Sequence, residues 1–185
     1  AVLAELERLA AEGVAEVVLT GIHLGVYGAD LTPPTDLLSL LQRIRAEARV
    51  PRVRLSSLEP LELTDALLDL LAAEPRFCPH LHLPLQSGDD GVLTRMGRPY
   101  TRERFAARVR AARNRLPEAA LGTDVLVGFP GESEAAFEAT YSLVEALPLT
   151  YLHVFPFSPR PGTPAAGFAP RVPERVVKER CRRLR

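Results

Sequence analysis

The chain has 185 residues, 46% of them hydrophobic and 25% charged, and its formal net charge is zero. That length suffices for one domain with a sizeable core, and the composition is ordinary for a soluble protein. No apolar run approaches the ~18 residues of a membrane span, and the acidic, amphipathic N-terminus is not a secretory signal, so the expected setting is the cytoplasm.

Residues 2–12 carry a helical pattern, and AEVVLT at 15–20 reads as a strand. The next helix starts near Thr35, with Leu37, Leu38, Leu41 and Ile44 on one face and Thr35 as the expected N-cap. RVRLSS at 52–57 alternates as a strand, a helix runs from Thr64 to Pro75, and HLHLPL at 80–85 is the third strand. Thr101 caps a helix with Phe105, Val109, Ala112 and Leu116 on its apolar face. LGTDVLVG at 121–128 is a strand, Ser133 opens a helix ended by Pro148, and YLHVFPF at 151–157 is the fifth strand. A Pro/Gly-rich stretch at 158–170 leads to a basic helix from Pro173. Strands alternating with helices imply βαβ units and a parallel sheet, hence the α/β class. The pattern opens on a helix and stops inside a charged one, so an internal region of a longer protein is expected.

Neutrality hides an uneven distribution. Residues 95–115 hold eight Arg and one Glu, and residues 171–185 hold six Arg, one Lys and two Glu. Such segments suit a nucleic acid, or they are simply solvated helix faces. The two cysteines, Cys78 and Cys181, form neither a disulfide framework nor a metal-ligand spacing.

In parallel α/β folds, ligands bind at the carboxyl ends of the strands. The five strand exits read TGIHLGVYG (20–28), SSLEP (56–60), QSGDDG (86–91), GFPGES (128–133) and FSPRPGT (157–163). All five carry glycine or small polar residues, whereas the returns are short and plain. Glycine lets backbone approach a ligand closely, and the start of the helix after GFPGES offers free N–H groups.

Together with their flanking strands, the segments LTGIHLGVYG, RLSSLEP, HLHLPLQSGDDGVLTRMGRPYT, GTDVLVGFPGESEAAFEAT and HVFPFSPRPGTPA resemble the radical S-adenosylmethionine (SAM) domain of the tRNA methylthiotransferase family. The loops SSLEP and TGIHLGVYG look closest to the branch acting on threonylcarbamoyladenosine, more than to the isopentenyladenosine branch or the ribosomal-protein branch. The resemblance implies a partial parallel (βα) barrel over 1–170, with five strands visible and the first strand and its cluster loop missing. Residues 171–185 would begin a basic helix leading toward an RNA-binding domain. It also implies S-adenosylmethionine as cofactor, tRNA as partner, and a four-iron four-sulfur cluster held by a Cys-x3-Cys-x2-Cys loop absent from this sequence. Neither Cys78 nor Cys181 is expected to supply such a ligand, so the chain alone should be inactive.

By the same resemblance, Thr20 and Gly21 line the methionine end of the cofactor. Ser57 and Glu59 meet its ribose hydroxyls or amino group. Gln86 and Ser87 donate and accept at the third exit, and Arg98 grips the methionine carboxylate in bidentate fashion. Asp124, inside an apolar strand, needs a polar partner and should face the barrel interior. Gly128, Gly131 and Glu132 form the loop where adenine rests. Two other readings compete. His80 and His82, on one strand face, with Asp124 as a further ligand, suit a metal-dependent hydrolase; a non-catalytic cofactor-binding scaffold is the third.

Overall fold

A computed structural model describes residues 1–185. Five strands alternate with seven α-helices in the order α1 (Val2–Ala11), β1 (Val17–Leu19), α2 (Leu37–Glu47), β2 (Val53–Leu55), α3 (Asp65–Ala73), β3 (His80–His82), α4 (Asp90–Arg95), α5 (Arg102–Arg115), β4 (Ala120–Val127), α6 (Glu134–Ala146), β5 (Tyr151–Pro156) and α7 (Glu174–Leu184). The chain divides into two compact units, Ala1–His82 with Ala111–Ala120, and Leu83–Arg110 with Leu121–Arg185.

In the first unit, β1 and β2 pair in parallel, with Val17 opposite Val53 and Leu19 opposite Leu55. The other edge of β2 takes the chain leading into β3: the Cys78 N–H donates to the Val53 carbonyl at 2.8 Å, and the Leu58 N–H to that of His82 at 3.0 Å. Helix α2 forms because Leu37, Leu40, Leu41 and Ile44 fall on one stripe, and all four are buried. Its cap is Asp36 rather than the expected Thr35. The Asp36 carboxylate accepts from the Ser39 N–H at 2.7 Å, while the Thr35 N–H is spent on the Gly28 carbonyl, which ties Thr35 to the preceding turn. Thr64 caps α3 as expected, accepting from the Leu67 N–H at 3.1 Å.

In the second unit, β4 and β5 pair in parallel, with Gly122 opposite Tyr151, Asp124 opposite His153 and Leu126 opposite Phe155. Residues 83–86 run along the other edge of β4: Leu83 donates to the Gly122 carbonyl, Gln86 to that of Asp124, and Leu126 back to that of Gln86. The regular strand nevertheless ends at His82, short of the expected residue 85. Pro84 has no N–H, so the backbone ladder skips there. Side chains patch the gap. The fully buried Thr123 hydroxyl accepts from the Leu85 N–H at 3.0 Å and donates to the Leu83 carbonyl at 2.7 Å. The Tyr100 hydroxyl donates to the Pro84 carbonyl at 2.9 Å.

The polar run after this segment is partly helical. Asp89 caps α4, accepting from the Val92 N–H at 2.8 Å, and Asp90 accepts from the Arg102 N–H at the start of α5 at 2.7 Å. The two adjacent aspartates therefore serve two helix starts. Ser133 caps α6 as expected, accepting from the Ala136 N–H at 3.1 Å.

Candidate functional site

The strand exits of the second unit enclose a cavity of about 420 Å³, lined by Gln86, Arg95, Met96, Arg98, Leu126, Phe129, Thr163, Pro164 and Phe168 among others. Its volume lies in the ~300–1,000 Å³ range of small-molecule pockets, and its mix of apolar wall and few convergent polar groups is what such pockets carry. Phe129 packs edge-on against Phe157 and Phe168, with ring centroids 5.3 and 6.1 Å apart. Val92, Ala136, Met96 and Leu126 complete this apolar cluster.

Gln86 is the one non-glycine residue with a left-handed backbone, φ 66°. A non-glycine residue held there is strained by ~1–3 kcal/mol, and such strain persists where the surroundings over-determine it. Here two hydrogen bonds to β4 fix the backbone, and the residue lines the cavity beside the half-buried Arg98. Ser87, next along, is fully buried and turned away from the cavity residues: its hydroxyl lies 3.4 Å from that of Thr140 on α6 and accepts from the Asp89 N–H.

The loop after β4 is held from two sides. Arg95 of α4 donates to the Pro130 carbonyl, and its guanidinium lies 5.8 Å from the centre of the Phe129 ring. From α7, the buried Arg180 donates to the Glu132 carboxylate at 2.8 Å and to the Glu132 carbonyl at 3.1 Å. The same carboxylate accepts from the Gly128 N–H at 2.8 Å. Burial pushes the Glu132 carboxyl above its ordinary range, against the opposing pull of the Gly128 N–H and Arg180. Glu132 is thus a brace inside the loop. Gly128 has φ 81°, and a Cβ there would strike the Val177 side chain of α7. Gly131 has φ 76°, and its N–H donates to the Pro170 carbonyl at 2.7 Å.

Asp124 is half-buried on β4, and its carboxylate lies 3.1 Å from His153 Nδ1 on β5. The paired register puts Tyr151, His153 and Phe155 on the same sheet face as Asp124. Tyr151 and His153 have ring centroids 5.3 Å apart, His153 and Phe155 6.2 Å, and Phe155 is 50% exposed. A side chain at Gly122 would collide with the Tyr151 ring, so the glycine lets that ring lie over β4.

In the first unit, Thr20, Gly21 and Ser57 are exposed beyond the ends of β1 and β2. Glu59 closes a capping box with Glu62 around a short 3-10 turn, Pro60–Glu62, so its carboxylate is engaged in local structure. Sequence reasoning missed the contact that joins these two exits: the His23 imidazole meets the Glu62 carboxylate. The spacing of an acid three residues after Glu59 was the available signal. His80 lies near the Arg54 guanidinium; burial, and then that positive charge, lower its pKa.

The two thiols do not fit an iron–sulfur cluster. Cys78 precedes β3, buried, with its Sγ 3.5 Å from a Glu16 carboxylate oxygen; Cys181 is buried in α7. Burial pushes both thiols up, and neither sits on a strand exit. A cluster requires thiolate ligands that these residues do not provide.

Residues 1–144 match the family model described as the Radical SAM superfamily. The chain belongs to the radical SAM superfamily. Its α/β fold of parallel strands agrees with that membership, and the strand-exit motifs had pointed to it. Over 183 residues the chain is 45% identical to a tRNA-2-methylthio-N(6)-dimethylallyladenosine synthase of Parafrankia sp. (strain EAN1pec), covering 99% of this chain and 37% of that protein. A namesake from Corynebacterium efficiens is 42% identical over 189 residues, with 36% of its length covered. The chain thus spans little more than a third of the curated relatives it matches. Both are tRNA methylthiotransferases by name, the group suggested by the loops, although the names carry the dimethylallyl nucleoside and not the threonylcarbamoyl one. Among solved structures, the radical SAM methyltransferase TsrM from Kitasatospora setae, with cobalamin and a [4Fe-4S] cluster bound, superposes with a TM-score of 0.70 at 25% identity, over 89% of this chain and 32% of that one. Coproporphyrinogen III oxidase HemN from Escherichia coli, at 18% identity and a TM-score of 0.63 over 99% of this chain and 39% of that one, shares the fold. No helix is long and apolar enough to cross a membrane.

Proposed function

We infer that this chain is the S-adenosylmethionine-binding part of a radical SAM tRNA methylthiotransferase acting on an N6-modified adenosine in the cytoplasm. The observation that carries this reading is the cavity at the strand exits of the second unit, where Gln86 and Arg98, with Arg95 and Thr163, stand among the apolar side chains of Met96, Leu126, Phe129 and Phe168. The relatives' names support the reaction and the tRNA, and their dimethylallyl label favours that nucleoside over the threonylcarbamoyl one.

Each residue has a role that its surroundings support. Arg98 offers a planar, permanently charged fork to the methionine carboxylate, and Gln86 both donates and accepts at the same end. The Phe129 ring supplies apolar wall to the cavity. Asp124, with Tyr151, His153 and Phe155, presents an aromatic face with one carboxylate, suited to a purine ring. Thr20, Gly21 and Ser57 are exposed polar groups at the strand exits of the first unit. Ser87, Glu59 and Glu132 act through structure: they hold the loops on which the contacting groups stand. When bound, S-adenosylmethionine supplies the radical and methyl-donor chemistry of the superfamily.

The test is Gln86→Gly in the protein, read by calorimetric titration with S-adenosylmethionine. Glycine relieves the left-handed backbone while removing the amide, so stability should hold or rise as affinity falls about tenfold, the weight of one lost hydrogen bond to a charged ligand. Unchanged affinity would remove Gln86, and with it this cavity, from the cofactor site. For the nucleoside, mass spectrometry of tRNA from a complemented methylthiotransferase-deficient strain should show the methylthio group on dimethylallyladenosine; its appearance on threonylcarbamoyladenosine instead would restore the branch suggested by the loops.

A further inference from the structure

The C-terminal helix α7 reads as one more solvated basic segment, yet Arg180 is 4% exposed. Its guanidinium is aimed at the loop after β4: Nη1 donates to both the carboxylate and the carbonyl of Glu132, and Nη2 donates to Glu134 at 2.8 Å. Its carbon head also lies 5.2 Å from the centre of the Phe137 ring. Glu132 in turn fixes the Gly128 N–H, and the Val177 side chain of the same helix fills the space that a side chain at position 128 would take. Phe129, between these anchor points, is the loop residue that lines the cavity, and Arg95 holds the loop from α4 through the Pro130 carbonyl and the Phe129 ring.

We propose that Arg180 is a positioning residue of the cofactor cavity, holding the 128–132 loop through Glu132 so that Phe129 stands as its wall. This rests on the cavity being the S-adenosylmethionine site. Arg180 touches no cavity-lining group directly, and its action runs through Glu132 and the Gly128 N–H.

A buried ion pair that loses one member leaves the other charge stranded, whereas replacing both by neutral groups of similar size is often tolerated. That asymmetry separates positioning from general support. The protein would be compared as wild type, Arg180→Met, Arg180→Lys and the double variant Arg180→Met/Glu132→Gln. Two readouts apply: hydrogen exchange at residues 128–132 and S-adenosylmethionine affinity by titration. The glutamine retains an oxygen for the Gly128 N–H and needs no cation. Arg180→Met should speed exchange in 128–132 selectively and weaken binding at least tenfold. Arg180→Lys should do so less, and the double variant should recover both readouts. The proposal is overturned by wild-type exchange and affinity in Arg180→Met. It is equally overturned by exchange rising evenly along the chain without recovery in the double variant, which would make Arg180 a general packing residue. If wild type binds no S-adenosylmethionine, the cofactor reading fails, while the exchange comparison still decides whether Arg180 holds the loop.

Discussion

Replacing Thr123 by Val tests the patch over the Pro84 gap. The two side chains are nearly isosteric, so the change removes a hydroxyl and leaves the packing volume in place. In the structure that hydroxyl is fully buried and makes two bonds, from the Leu85 N–H at 3.0 Å and to the Leu83 carbonyl at 2.7 Å. Leu83 and Leu85 are themselves buried, at 2% and 0% exposure, so water cannot stand in. A buried polar group left without a partner costs about 1–3 kcal/mol. With two groups stranded, and partial relaxation of the segment, the expected loss is about 2–4 kcal/mol. For a chain of this size each kcal/mol lowers the midpoint by ~2–4 °C, so thermal unfolding should move down by roughly 4–16 °C. Urea unfolding should show a lower midpoint at unchanged slope. Thr123→Ser, which keeps the hydroxyl and loses only a methyl, should retain most of the stability. A Val variant within about 0.5 kcal/mol of wild type would mean that residues 83–86 do not depend on this bridge, and the account of the strand break would fail.

Arg98→Ala should weaken S-adenosylmethionine binding by one to two decades, from the ~1.5–3 kcal/mol of a charged hydrogen bond, with the melting midpoint little changed; equal affinity by titration would exclude Arg98 from the site. Glu16 is held down to about 2 by Arg54 and Arg52, below its ordinary value of 4.5. Because the folded value is the lower one, its stabilising contribution is full above pH 4.5 and is lost as pH falls toward 2. Glu16→Gln should therefore flatten the acid limb of a stability-against-pH curve, and an identical limb would refute the pairing. Cys78 and Cys181, buried and with thiols pushed up, should react with a disulfide reagent only as fast as the protein opens; rapid labelling of the native state would contradict their placement.

The alternation of strands and helices was legible because apolar period and capping residues agree, as at Thr64 and Ser133. What escaped the sequence had two physical origins. Short-range patterns have no term for a missing N–H, so HLHLPL read as one strand although Pro84 interrupts it. Long-range pairing was likewise invisible: Arg180 and Glu132 are 48 residues apart, and nothing in a run of arginines marks which one is buried. The α4 helix was hidden by Gly91 and by aspartates that read as loop, although their capping of two helix starts is itself local. Of the proposed contact residues, Gln86 and Arg98 line one cavity, while the polar atoms of Ser87, Glu59 and Glu132 are turned to local structure.

Helix α7 also changes what the arginine-rich ending means for a nucleic acid. Arg180 and Glu132 pair in the interior, Arg183 lies between Glu134 and Glu138 and over the Phe137 and Tyr141 rings, Lys178 meets Glu174, and Arg182 meets Glu179. Tight RNA binding draws much of its strength from counterions displaced from phosphates, one for each cation that reaches the backbone. Cations already neutralised by their own chain have little to trade. The seven basic residues of 171–185 therefore overstate the segment's pull on RNA, and added salt should loosen any complex through this helix far less steeply than their number suggests.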